Sequence, residues 1–421
     1  MAAFAGVGAG LNSTGGRDVA LGLKSGVQNY WTKSSDTSLF TPQSWNRVRG
    51  YHQEWRDFSP SNVITDGGTI NWKVNKAGDL LDTSEIILAY TIAFGGAVDL
   101  RPPAGGGHEL IQQIQIGYNT NNIKQHDGDY LNARLELEMN EWDRDGVDEL
   151  LLLDKTIAER QAIAATLSVT FVIKVGAHWE GYSHKNLLMS GLPHNVLYDV
   201  VLRPALNVFQ WDGLGAPVIT LSSAFLRCWF THVERVERAG LVKTTLQEGG
   251  ILQKIIDNEE VRNVTVTANS TTARIPLSNI KNPATHLIFT IRLATDLVTT
   301  ASLTKSRFNY QTCSSFTLQE NGRDLIPTIT HRYGLFHLNP KYFNGRKNVA
   351  IYMIPLCAIP SDKLHGMGDI NFSQMNNPEL VINWAAPDFG AGVPATSRVD
   401  VYAEVHNLLH HEKGDLIKKF R

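Results

Sequence analysis

From about residue 45 onward, apolar and polar positions alternate along this chain with a period of two. Ile114, Ile116 and Tyr118 stand against Gln113, Gln115 and Gly117. Val169, Phe171, Ile173 and Val175 stand against Thr170 and Lys174. Val264 and Val266 oppose Thr265 and Thr267, and Leu287, Phe289 and Ile291 oppose His286, Thr290 and Arg292. The sharpest run sets Val399, Val401, Ala403 and Val405 against Arg398, Asp400, Tyr402, Glu404 and His406. Strict alternation places one face in a core and leaves the other wet or at an interface. Residues 69–74 and 85–94 read as further strands. Turn formers recur between the runs, with 35 glycines and 16 prolines in all. The pattern predicts an all-β fold of antiparallel sandwich or jelly-roll type, with minor helical insertions.

Two segments break the period. Residues 148–167, DELLLLDKTIAERQAIAATL, carry helix formers at helical spacing and predict a helical insertion in a loop of the first β-domain. Residues 241–260 are amphipathic but interrupted by Gly249 and Gly250, and predict a linker that is part helix. The Gly-, Ser- and Thr-rich start reads as an extended arm. The resulting division is an arm at 1–44, a first jelly roll at 45–238, a linker with helix at 239–262 and a second jelly roll at 263–421. No internal repeat is visible in the sequence.

At 421 residues the chain suits two domains of about 200 residues, each large enough for its own core. No run reaches the roughly 20 apolar residues of a membrane span. The opening MAAFAGVGAGLNSTGG lacks a basic leader region. Neither membrane insertion nor a secretory leader is therefore expected. The net charge of −2, from 39 basic and 41 acidic side chains, argues against a nucleic-acid-coating surface. The basic cluster noted is short: Lys413, Lys418, Lys419 and Arg421, diluted by Glu412 and Asp415. Cys228, Cys313 and Cys357 are far apart, form no zinc spacing, and read as small buried hydrophobes in a reducing compartment. The triplets at Asn12, Asn263, Asn269 and Asn371 fit the N-glycosylation pattern, which is common by chance.

Chemistry-bearing patterns are few. Glu136, Glu138 and Glu141 approach the E-x-D-x-x-E strand of one jelly-roll family of glycoside hydrolases. Retaining hydrolysis needs two carboxyls about 5–5.5 Å apart, and the odd spacing here would need a bulge. The plainer expectation puts Leu135, Leu137 and Met139 of a strand in the core and Glu136 and Glu138 on its wet side. Asp143, Asp145, Asp148 and Glu149 hint at a calcium loop but lack its twelve-residue register. His108-Glu109 is not HExxH, because Gln112 stands at the second His position. His406, His410 and His411 fall on different faces of a strand. No catalytic, cofactor or metal residues are assigned.

Residues 351–382 order a strand, a Pro-punctuated loop, a turn with Gly366 and Gly368, then Asn371-Phe372-Ser373 and a second strand. This arrangement, G-x-I-N-F-S between two strands, resembles the major capsid proteins of nucleocytoplasmic large DNA viruses. Further segments are similar to that family in the same order. They are Lys76–Leu81 (KAGDLL), Gly107–Ile111 (GHELI) with the following IQQIQIGYNTNNIKQHDGDYLNARLEL, read as strand, polar turn, strand, residues 202–221, Asn282-Pro283 before LIFTIRL, and 318–324 (LQENGRD). The N-terminal segment and the final strand keep little of the family pattern. The resemblance implies two tandem antiparallel jelly-roll β-barrels, a homotrimer and no enzymatic activity. It also implies a shell of neighbouring capsomers with minor capsid and penton proteins, located in the virion after assembly in the host cytoplasm or a virus factory. The loops 119–128, 176–196 and 385–397 would form outer surface and subunit contacts. The alternatives are a jelly-roll glycoside hydrolase and a lectin-like carbohydrate-binding protein.

Overall fold

The computed structural model describes residues 51–139, 141–177, 186–233, 235–246, 250–297, 302–304, 306–345, 349–361, 368–384 and 395–420. The expected arm at 1–44, the turn at Gly366 and most of loop 385–397 lie outside them.

The period-two runs form strands. In the first half these are β1 (Tyr51–Phe58), β2 (Thr69–Val74), β3 (Leu80–Ala93), β4 (Ile111–Tyr118), β5 (Asn121–His126), β6 (Ser168–Lys174), β7 (Val196–Leu202) and β8 (Val218–Val233). In the second half they are β9 (Ile251–Val266), β10 (Thr272–Pro276), β11 (Pro283–Leu293), β12 (Ser315–Glu320), β13 (Arg323–Asp324), β14 (Ile351–Pro355), β15 (Pro378–Asn383) and β16 (Ser397–Glu412). The first half pairs them as β1-β8-β3-β6 and β2-β7-β4-β5, the second as β9-β16-β11-β14 and β10-β15-β12-β13. Adding eight to each strand of the first pair of sheets gives the second pair. The chain therefore contains one jelly-roll topology twice, all-β with helices confined to connections. The registers of β3 with β8 and of β11 with β16 are antiparallel.

Each barrel closes over its own core. Trp72, Ile86, Leu88, Tyr90, Ile114, Phe171, Tyr198 and Leu226 fill the first. Leu287, Phe289, Phe316, Tyr352, Leu380, Trp384, Val399 and Val401 fill the second. The 351–382 motif holds its expected order among the described residues. β14 leads to a short strand at Ile370–Asn371, and Asn371 caps the turn by accepting from the Ser373 amide (3.1 Å) and hydroxyl (2.7 Å). Phe372 drops into the second core.

Helices replace some expected strand and loop. The segment expected to alternate around Leu135, Leu137 and Met139 is a helix, α1 (Gly128–Glu138). Asp127 caps it by accepting from the Tyr130 amide at 2.7 Å. The insertion expected at 148–167 is two helices, α2 (Glu141–Leu151) and α3 (Ile157–Ala165). Between them Leu152 (φ 59°) and Asp154 (φ 52°) adopt left-handed backbone. Most of the expected loop 119–128 is β5, reached by a tight turn at Asn119 (φ 54°). The linker region contains α4 (Arg235–Leu246), and β9 begins at Ile251 inside it.

Candidate functional site

The junction between the barrels is deeply buried. α1 lies in the connection from β5 to β6 of the first barrel, and its apolar side reaches the second. Tyr130, Ala133 and Leu137 pack against Ile288 on β11, Ile351 and Met353 on β14, and Tyr402 on β16, with Phe343 closing the cluster. The rings of Tyr130 and Tyr402 are 5.4 Å apart. As a result β11 is buried on both faces from Ala284 to Arg292. One face meets the barrel core and the other meets α1, so the His286, Thr290, Arg292 side of the alternation is interface. At about 1.5–3 kcal/mol for each large apolar side chain, this cluster is a substantial part of what joins the barrels.

Two glycines seat α1, one against its own barrel and one against the second. A Cβ on Gly128 would lie 2.1 Å from the His108 carbonyl oxygen. A Cβ on Gly345 would lie 2.1 Å from that of Glu136, and the Gly345 amide donates to Leu137 O at 3.0 Å.

Beside the apolar cluster lies an ionic lattice with members from both barrels. Asp129 on α1 receives Arg292 of β11 at 3.0 Å, Arg307 at 3.0 Å and Arg203, just after β7, at 3.3 Å. Arg292 continues to Asp400 of β16. Asp127 meets Arg262 of β9 at 2.7 Å. The Tyr130 hydroxyl donates to Glu404 at 2.9 Å. Glu109 accepts from the Gly105 amide, the Ser306 hydroxyl and the Arg307 amide through one oxygen.

The two aspartates respond in opposite directions. Burial alone would raise the Asp129 carboxyl, but Arg292, Arg203 and Arg307 overturn it and hold the group well below the usual carboxylate range. Asp127 has one arginine against it. Burial and the neighbouring Asp129 charge push it up to about 7. Removing one partner from such a lattice leaves a buried charge uncompensated. The lattice therefore ties the two barrels together through Asp129–Arg292, Asp129–Arg307 and Asp127–Arg262.

The residues with catalytic potential are engaged elsewhere. Glu136 is held by both terminal nitrogens of Arg144, at 2.7 and 2.5 Å, and Glu138 accepts from Arg134 at 2.9 Å. Both lie on a helix, so the hydrolase strand pattern is not formed. The side chain of Glu141 lies outside the described residues. Asp148 pairs with Arg144 inside α2, so the acidic segment that hints at a calcium loop is helical. His108 is buried with its Nδ1 unpartnered, and burial holds its ring down to about 4. His410 and His411 are buried, and His410 lies 3.6 Å from Glu412. Cys228 and Cys313 are buried and Cys357 half-buried. Burial raises the Cys313 thiol to about 12, which disfavours the nucleophilic thiolate. Sequence reasoning did not find the junction residues Asp127, Asp129, Arg203, Arg262, Arg292 and Arg307. The available signal was the acid-Gly-acid start of α1 combined with charged residues on the second face of β11 and β16.

No protein-family profile matches the sequence, and no curated protein matches it. Solved structures do match. VP54 of the virus PBCV-1 aligns with 89% of this chain and 98% of its own, with a TM-score of 0.68 and 16% identity. The Faustovirus major capsid protein aligns with 93% of this chain and 94% of its own, with a TM-score of 0.73 and 8% identity. The mavirus major capsid protein aligns with 87% and 90%, with a TM-score of 0.53 and 11% identity. At these identities the likeness is one of fold: the chain has the double jelly-roll architecture of these capsid proteins.

Proposed function

We propose that this chain is the major capsid protein of an icosahedral double-stranded DNA virus, a homotrimer whose barrels give a six-lobed, near-hexagonal capsomer. The observation that carries this is the repeated strand order in one chain, locked by a junction that fixes how one barrel follows the other. A fixed pair repeated by closed threefold symmetry makes a flat-sided unit, and contacts between units extend it into a shell. The fold likeness to capsid proteins along nearly the whole chain supports the same reading.

In this reading the protein is not an enzyme and uses no cofactor. Its partners are two further copies, neighbouring capsomers, and minor capsid and penton proteins. It resides in the virion after assembly in the host cytoplasm or a virus factory. The chain divides into an arm to residue 44, a barrel to 238, a linker from 239 that holds α4, and a second barrel whose first strand, β9, starts at Ile251 inside the expected linker, with the arm on the inner face of the shell. Electron microscopy of the purified protein should show six-lobed particles of threefold symmetry; two-lobed single chains at every concentration would contradict the proposal. Protease applied to intact particles should spare the arm, and first cleavage before residue 45 would contradict its placement.

A further inference from the structure

The internal junction has a second, unfilled counterpart. In the second barrel, one cross-strand row on the outer sheet face is Met353 of β14, Ile288 of β11 and Tyr402 of β16. All three are fully buried, because α1 covers them. The equivalent row in the first barrel is Val172 of β6, Ile87 of β3 and Phe225 of β8. It is equally apolar but only partly covered: Val172 and Ile87 are partly exposed and Phe225 is 39% exposed. The strands show the same contrast, since β3 alternates between buried and half-buried or exposed positions where β11 is buried from Ala284 to Arg292. Val172 also lines a cleft of about 560 Å³, together with Glu85 and Lys174 of the same sheet, Leu135 and Glu138 of α1, and Leu150 of α2.

The covering element is duplicated too. The connection from β13 to β14 of the second barrel, equivalent to the one that holds α1, carries a helical stretch over 331–342. It consists of His331–Tyr333, a π turn at Gly334–Leu338 and Asn339–Tyr342. Its N-cap, Thr330, stands three residues before Tyr333, as Asp127 stands before Tyr130. Counted from the N-cap, Tyr333 and Phe336 fall at the positions of Tyr130 and Ala133, two of the residues that α1 presents to its neighbour. Here they face solvent, 50% and 55% exposed. Aromatic side chains such as these are the residue type enriched at protein–protein interfaces.

We infer that the 331–342 helix of one copy docks, through Tyr333 and Phe336, on the Val172, Ile87, Phe225 row of a second copy, repeating between chains the junction that α1 makes within the chain. This rests on the capsomer reading and identifies its subunit contact. The donor and receiver faces differ, so the contact is heterologous, and a closed ring uses every donor and every receiver once.

The test uses full-length protein and light scattering. The donor variant Tyr333→Asp/Phe336→Asp and the receiver variant Phe225→Asp change exposed positions, and circular dichroism should show each folded like wild type. Each alone should lose the trimer, a threefold drop to the chain mass of 46.7 kDa. Mixed at high concentration they should give a species of twice that mass and no larger, because one intact junction can form but the ring cannot close. If wild type is trimeric and either variant stays trimeric, or the mixture stays monomeric, the contact is elsewhere while the capsomer reading stands. A wild type that is itself monomeric overturns both.

Discussion

Asp129 and Asp127 sit two residues apart at the start of one helix, yet they are opposite cases. Asp129 faces three arginines drawn from both barrels, so Asp129→Asn strands buried positive charge. A loss of about 3–5 kcal/mol is expected in denaturant unfolding; a change below about 1 kcal/mol would mean the lattice does not couple the barrels. For Asp127 the sign follows from its proton. The folded carboxyl keeps it up to about pH 7, whereas the ordinary carboxyl releases it near 3.8. Between those values the folded state binds more protons than the unfolded, so this group's contribution to stability falls as pH rises. Asp127→Asn keeps the helix cap and removes the titration. Its Tm relative to wild type should therefore rise between about pH 4 and pH 7, and parallel Tm curves would contradict the assignment. Neither role was legible in the sequence, because a buried carboxylate and a solvated one are written with the same letter.

Strands were far more legible than helices. The alternation at 113–118, 169–175, 287–291 and 399–405 marks β4, β6, β11 and β16, because a sheet with one face in a core imposes its period on the sequence. The same rule misread α1. Leu135, Leu137 and Met139 alternate, but this helix is buried on more than one side, with Leu131 toward the first core and Tyr130, Ala133 and Leu137 toward the second barrel. A helix covered all round has no polar stripe to reveal its period. α3, by contrast, carries a local signature. Thr156 and Glu159 form a capping box, with the Thr156 amide donating to Glu159 at 2.7 Å. Thr156→Ala should cost about 1 kcal/mol, read as a lower denaturation midpoint at unchanged m-value. No loss of stability would show that packing alone holds the insertion.

At the scale of the whole molecule, the duplication is visible in topology and silent in sequence. Both barrels keep the strand order 1-8-3-6 and 2-7-4-5, yet matched positions such as Ile288 and Ile87 differ in what covers them. Core positions of a sheet accept many apolar side chains of similar volume, so two barrels can diverge beyond recognition while the order of pairing is kept. The resemblance motifs survive where geometry is demanding, as at the Asn371 cap. A chain with one barrel junction filled and its counterpart open is half of a repeating contact, and closure by further copies is what the account requires. The most direct check is the mass of the purified wild-type protein by light scattering. The account predicts about three times 46.7 kDa; a monodisperse species at the mass of a single chain, unchanged with concentration, would contradict it.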